Sequence, residues 1–306
     1  MNDAIRIVAA IDDGYEQHLG VMLCSLFRNH KEDGRCEVYI LDGGISAEGK
    51  EKVLDLAAMY NAEVHFFVVS PDDFSDFMVS HHISSATYYR LAIANLLPRS
   101  IDKVIYLDAD LVVLGDIAEL WRTPVDEYAL AAVRNPGFRG HARLSIPHHC
   151  PYFNAGVLLL NLAAWRQKRV GPGVMTFLRD NPDRARQWDQ DGLNACLYDQ
   201  WLMLHPKWNV QTVLLQHNAL CNAEFDPEEL ADALGNPAIV HFTGSSKPWQ
   251  YMNRHPLKDL YYDYLRLTPW HGFTPPDATF ANRVRKALWI VELKTAIKKA
   301  IEKPSP

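Results

Sequence analysis

Two carboxylates interrupt a run of apolar residues in this chain: VIYLDADLVV, residues 104–113, sets Asp108 and Asp110 between Leu107 and Leu111. A continuous apolar run reads as a strand buried on both faces, where an unpaired carboxylate costs on the order of several kcal/mol or takes up a proton. Alternate residues of a strand point the same way, so the two acids could share a divalent cation. Hard oxygen ligands suit Mg²⁺ or Mn²⁺, and such ions commonly arrive with a phosphate-bearing substrate. The plainer reading of Asp-x-Asp at a strand end is a loop start with a helix cap, and the motif alone does not decide between them.

The acids need a scaffold that gathers strand ends, and the first half of the chain supplies one. IRIVAAI (5–11), a helical YEQHLGVMLCSLFRN (15–29), CEVYILD (36–42), a helical AEGKEKVLDLAAMY (47–60), AEVHFFVV (62–69) and KVIYLDAD (103–110) follow one another. Repeated β-α-β units of this length predict an α/β fold, a parallel sheet with flanking helices on both faces. Ligands of such sheets sit at the carboxyl ends of the strands. A second acidic pair, Asp12 and Asp13, lies at the end of the first strand.

Composition narrows the function further. The chain has 306 residues, 48% of them hydrophobic, enough for one large or two modest cores. A net charge of −6 gives no general pull toward nucleic acid, and none is expected as a partner. Five scattered cysteines without metal-type pairs predict reduced thiols and a cytoplasmic protein. MNDAIRIVAAIDDGY enters a strand without a secretory pattern, and FNAGVLLLNLAAW is too short and too polar to span a bilayer.

Further segments carry the acids to a family. YFNAGVLLLNLAAW (152–165) holds Asn154, Ala155 and Gly156 ahead of a buried strand. WDQDGLNACL (188–197) opens a helix with Asp189, Gln190 and Asp191, and IVHFTGSSKPW (239–249) follows a strand with His241, Gly244 and Lys247. Together with TYYRL around Arg90, this ordered set resembles the retaining family 8 glycosyltransferases of the GT-A fold, a Rossmann-like nucleotide-sugar-binding sheet. The likeness is strongest to bacterial lipopolysaccharide and lipooligosaccharide galactosyl- and glucosyltransferases, and it runs from about residue 5 to 250.

The resemblance implies roles residue by residue. Asp108, Asp110 and His241 match the ligands that hold Mn²⁺, or Mg²⁺, against the diphosphate of a UDP-sugar. Ala10, Asp12 and Tyr15 match the uracil pocket, with Tyr15 stacking on the base. Gly244 and Lys247 match diphosphate contacts, and Arg90, Asn154, Asp189 and Gln190 match residues around the donor hexose. The chemistry is coherent: a neutral imidazole beside two carboxylates suits Mn²⁺ better than Mg²⁺, and a lysine offsets charge on a leaving diphosphate. One position departs, since the family often has Asn where this chain has Gly14, which removes a side-chain contact to the ribose.

The implied activity is transfer of galactose or glucose from UDP-galactose or UDP-glucose to a hydroxyl of a saccharide or lipid-linked glycan, with retention, in lipopolysaccharide or another surface glycan. Gln190 is a poor nucleophile, so same-face attack with Gln190 as electrostatic support is the expected route. Three other readings stand beside it. DADLV also fits the Asp-x-Asp-x-Val pattern of haloacid-dehalogenase-type sugar phosphatases, although there the motif usually opens the core sheet and here it follows three strands. A non-catalytic nucleotide-sugar-binding protein would keep the same pocket. A nicotinamide oxidoreductase is weakest, because no Gly-x-Gly-x-x-Gly follows the first strand.

Taken singly, Arg90 reads as a helix-surface arginine and Asn154 as a strand cap. His81, His82, His148 and His149 read as loop residues, with His82 also matching a family position near the acceptor. Trp121, Trp165, Trp188, Trp201 and Trp208 read as core or interface, and Trp249 as either core or site. Residues 134–150 are expected to cover the donor as a flexible loop, with Arg134 turned to an anionic acceptor. The chain divides into a catalytic domain (1–250), an extension (251–282) and a basic segment (283–306). That last segment carries seven Lys and Arg against Glu292 and Glu302, a net of +5. On a helix its apolar residues from Trp289 to Ile301 share one face, as in a segment lying on an anionic membrane. The expected location is therefore the inner face of the cell membrane, by peripheral attachment.

Overall fold

The computed structural model describes residues 4–12, 14–31, 35–70, 86–216 and 219–289. Asp13, His81, His82 and the apolar residues of the basic segment beyond Trp289 lie outside this set.

Strand β1 (Ile5–Ile11) feeds helix α1 (Glu16–Asn29), followed by β2 (Cys36–Asp42), α2 (Ala47–Ala58) and β3 (Glu63–Val68). These elements lie within a residue or two of the limits read from periodicity. Alternation explains the layering: Ile7, Ala9 and Ile11 enter the core under α1 and α2, while Val8 enters a second core on the opposite face. The acid at the start of each helix is placed to suit the helix dipole: Glu16 in α1 and Glu48 in α2 both occupy first turns. Glu16 also accepts hydrogen bonds from Ser46 N and Oγ, and Ser46 Oγ in turn caps α2 at Gly49 N.

The chain continues through β4 (Lys103–Leu107), β5 (Leu111–Val113), β6 (Leu130–Arg134), β7 (Phe153–Asn161), β8 (Trp201–Met203), β9 (Val210–Gln211) and β10 (Ile239–His241). The main sheet has the order β3-β2-β1-β4-β7-β6-β8, and a small sheet has the order β5-β10-β9. The apolar run that carries Asp108 and Asp110 is thus two strands. The acids form the bend in which the chain leaves one sheet for the other, where their carboxylates escape the interstrand core.

The expected parallel sheet holds for β3, β2, β1 and β4. It needs correction at β7, which runs antiparallel to both β4 and β6. The reversal has a consequence for the site, because it brings the start of β7 to the carboxyl end of β4. Asp108 N donates to Gly156 O at 2.9 Å there, and Asn154, Ala155 and Gly156 belong to the strand rather than preceding it.

The extension after residue 250 packs on α1. Tyr261 OH meets both Gln17 Nε2 (2.8 Å) and His18 Nδ1 (2.7 Å), Asn29 Nδ2 donates to Tyr264 OH at 2.6 Å, and Gly20 leaves room for the Trp270 ring. A final described helix covers 280–289. No described helix is long and apolar enough to cross a membrane. Trp121, Trp165, Trp201 and Trp208 are core residues, as expected.

Candidate active site

The carboxyl ends of β1 and β4, the start of β7 and the end of β10 converge on one cluster. One oxygen of Asp108, one of Asp110 and one ring nitrogen of His241 lie within 4.8 Å of one another. His241 Nε2 is 3.2 Å from Asp110 Oδ1 and 3.9 Å from Asp108 Oδ2. Each acid's other oxygen is already engaged. Asp108 Oδ1 accepts from Arg90 Nη2 and Tyr106 OH, both at 2.9 Å, and Asp110 Oδ2 accepts from Lys247 Nζ. Two oxygens and one nitrogen therefore face a common point. Neighbouring donors of an octahedral ion with bonds of about 2.1 Å stand about 3 Å apart, so the set fits a Mg²⁺ or Mn²⁺ ion with small adjustments.

Two local features keep that point open. Gly156 has no side chain where one would collide: a Cβ there would lie 2.3 Å from His241 Cε1 and 2.7 Å from Asp108 Oδ2. Burial would raise the Asp110 carboxyl, but the Lys247 ammonium and His241 override it and hold it far below the usual carboxylate range. Asp110 stays ionised.

Arg90 is buried, not a surface residue. Its guanidinium lies 4.4 Å over the Tyr106 ring, donates to Ala155 O and joins Asp108 to Asp189. Asp189 Oδ1 accepts from Thr87 Oγ1 at 2.7 Å. Asp189 Oδ2 sits 2.9 Å from Arg90 Nε, but that N–H is directed at Thr87 O, so Oδ2 is ion-paired yet accepts no hydrogen bond. Burial raises the Asp189 carboxyl above its ordinary value against the pull of Arg90 and Thr87. Gln190 Oε1 accepts from Ala155 N at 2.9 Å, and its Nε2 donates to Tyr152 OH and Gln187 Oε1. Asn154 is buried and hydrogen-bonded through both amide atoms.

The other wall is aromatic. Tyr15 precedes α1 and meets Trp249 edge-on at 5.8 Å, while His18 stacks on Trp249 at 3.5 Å. Burial, then the charges of Asp110, Asp12 and Asp108, push the Tyr15 hydroxyl up to about 12. Ala10 lies at the end of β1, two residues beyond the Val8–Tyr106 pair that sets β1 against β4. Gly14 and Gly244 both take left-handed backbone angles, φ +96° and +90°. Gly and, less readily, Asn tolerate positive φ, which accounts for an exchange of the two at position 14. Gly244 is exposed in the turn between His241 and Lys247.

Some expectations change. Residues 134–150 are fastened, not loose: Phe138 stacks on Tyr152 at 3.6 Å, and Arg143 pairs with the fully buried Asp191 at 2.8 Å. Arg134 turns to Glu224, which also pairs with Arg139, so its charge is partly spent within the chain. His148 and His149 are exposed turn residues. Sequence reasoning missed Tyr106, Thr87, His18 and Asn209. Tyr106 could have been found from its i, i+2 spacing to Asp108 and Thr87 from its place at the head of TYYRL; His18 and Asn209 carried no local signal.

A sequence profile described as Glycosyl transferase family 8 matches residues 6–253. The chain is 34% identical over 281 residues to General stress protein A of Bacillus subtilis, covering 90% of this chain and 98% of that one. It is 24% identical to a lipopolysaccharide 1,2-glucosyltransferase of Escherichia coli K12, covering 90% and 82%. Among solved structures, the galactosyltransferase LgtC in complex with donor and acceptor sugar analogs superposes with a TM-score of 0.78 at 25% identity, covering 89% of this chain and 98% of that one.

Proposed function

Because this chain belongs to glycosyltransferase family 8, we propose that it transfers galactose or glucose from a UDP-sugar to a saccharide hydroxyl with retention of configuration. The observation that carries this reading is the meeting of the Asp108–Asp110–His241 cluster with the Arg90–Asp189 pair at one end of the sheet. It favours sugar transfer over the phosphatase and simple binding alternatives, because residues suited to ion, nucleotide and hexose stand together at one end of the sheet.

Asp108 Oδ2, Asp110 Oδ1 and His241 Nε2 would hold Mn²⁺, or Mg²⁺. When bound, the ion supplies Lewis-acid stabilisation of charge on a departing diphosphate. Tyr15 offers a face for uracil, with Ala10 and Asp12 beside it, and Lys247 and the Gly244 turn offer an ammonium and a backbone donor to the diphosphate. Asp189 Oδ2, buried and without a hydrogen bond, is suited to a hexose hydroxyl, and Arg90 and Asn154 fix the surrounding wall. Gln190 already uses its carbonyl on Ala155 N, which fits a supporting role better than a nucleophilic one. The bond from the anomeric carbon to the UDP oxygen breaks, the bond to the acceptor oxygen forms on the same face, and the acceptor proton leaves on UDP.

The acceptor belongs to lipopolysaccharide or another surface glycan on this reading, by analogy with the glucosyltransferase relative. Residues 1–250 form the catalytic unit, 251–282 the extension, and 283–306 a segment that docks a cytoplasmic enzyme on the inner membrane face. Phe280, Val284 and Leu288, spaced by four on the 280–289 helix, are exposed and support docking, whereas Trp289 instead covers Arg254 at 4.3 Å. Loss of vesicle sedimentation on removal of 283–306, with transfer to a small acceptor retained, is the expected result. An unfolded truncation would refute it.

UDP release from UDP-galactose and UDP-glucose, with and without Mn²⁺, tests the main reading. Metal-dependent UDP release that is abolished in Asp108→Ala is expected. Phosphate release from hexose phosphates, without UDP release, would instead establish the phosphatase.

A further inference from the structure

The orientation of an amide or imidazole side chain is ordinarily ambiguous, because its nitrogen, oxygen and carbon positions look alike. Here one backbone hydrogen removes the ambiguity for three side chains in turn. Gly156 N donates to Asn154 Oδ1 at 3.0 Å, and since an N–H can only donate, the atom facing it is the amide oxygen. That same oxygen is 2.8 Å from the Asn209 amide, so the Asn209 atom turned to it is Nδ2, a donor. Asn209 Oδ1 then points the other way, 3.0 Å from His241 Nδ1. An amide oxygen only accepts, so Nδ1 carries a proton. Whenever the imidazole is neutral, Nε2 therefore holds the lone pair, and Nε2 is the nitrogen that faces Asp108 and Asp110.

Asn209 is fully buried and spends both of its amide functions in this chain of contacts. It ends the short turn Pro206–Asn209, directly before β9, which lies parallel to β10 with Gln211 opposite His241. Asn154 continues the relay on the sugar side through Nδ2 to Asn135 Oδ1 at 3.3 Å. Resting on the metal reading above, we propose that Asn209 is a positioning residue that holds His241 in the tautomer able to bind a divalent cation and couples it to Asn154 on the donor-sugar wall.

Two substitutions divide the role. Asn209→Leu, of similar volume, removes both contacts. Asn209→Asp keeps an acceptor for His241 Nδ1–H but loses the donor to Asn154 Oδ1, setting oxygen against oxygen. Removing a partner of a metal-bound histidine typically costs roughly 10–100-fold in affinity. Titration of the metal-free protein with Mn²⁺, read by loss of the free-ion paramagnetic signal, is expected to give a loss of that size for Asn209→Leu. Asn209→Asp is expected to bind Mn²⁺ within a few-fold of wild type while its KM for the UDP-sugar rises. If wild type binds no Mn²⁺, the metal reading fails and the relay with it. If wild type binds and folded Asn209→Leu binds equally well, the relay alone is overturned. Should Asn209→Leu not fold, nitrogen-15 spectra of the wild-type imidazoles decide: a neutral His241 protonated at Nδ1 supports the relay, and one protonated at Nε2 ends it.

Discussion

The two sides of the candidate site are built on opposite principles. On the side of Arg90, Asn154 and Asp189, side chains are buried and held by ion pairs and hydrogen bonds from elements far apart in the chain. On the side of Tyr15, His18 and Trp249, rings meet rings. Polar groups in a low-dielectric setting are directional and costly to leave unpaired, so the first wall is fixed before any ligand arrives. Aromatic faces tolerate small displacements and hold a flat ligand by area, so the second wall can grip without dictating geometry. On the proposed function, the difference would give turnover to one wall and affinity to the other.

Of substitutions in the two walls, the one expected to have the largest effect is Asp189→Asn, which retains shape and removes the charge opposed to Arg90. Transfer should fall by about 10²–10³-fold, the range for loss of one preorganised electrostatic contact, while UDP affinity changes little. Equal losses in kcat and in UDP binding, by steady-state kinetics and calorimetry, would erase the distinction between the walls. Tyr15→Ala should do the reverse, weakening UDP binding by about 1–3 kcal/mol, as loss of one stacked base contact does, with kcat within a few-fold of wild type.

The smallest effect concerns stability. Burial holds the His18 imidazole down at about 3, against 6.5 in an exposed chain, so it is neutral where it stacks on Trp249. Between those values the unfolded chain binds one proton more than the folded one, and stability falls as the pH drops. From pH 7 to pH 5 the His18 share of that loss is about 2 kcal/mol. His255, also pushed down by burial, to about 4, adds a loss of the same sign. Denaturant unfolding of His18→Phe at the two pH values should show a loss smaller by His18's share. An unchanged loss would mean that the ring is protonated in the fold and the stack is a cation–π contact.

The ion cluster was more legible in the sequence than either wall: Arg90, Asn154 and Asp189 were reached only through the ordered motifs, and of the aromatic wall Tyr15 was found but His18 was not. Asp108 and Asp110 announce themselves because acids do not belong in an apolar run, and β1, α1, β2, α2 and β3 because their periodicities are local. Arg90 read equally well as a surface residue, since nothing within its own helix reveals that its partners lie 18 and 99 residues away, at Asp108 and Asp189. Asn209 is 55 residues from Asn154 and 32 from His241, and an isolated Asn in PKWNVQ carries no pattern. The reversal of β7 was equally silent, because its residues are buried on both faces whichever way it runs.

Glycine and alanine codons differ by a single base. At position 156 that base decides whether a methyl group occupies the space between the His241 ring and the Asp108 carboxylate. A gene descended from this one could keep both aspartates and the histidine intact and still have filled the space between them through that one change. A census of relatives that counts only the acidic pair would pass over such a descendant, whereas the codon for position 156 would record the change.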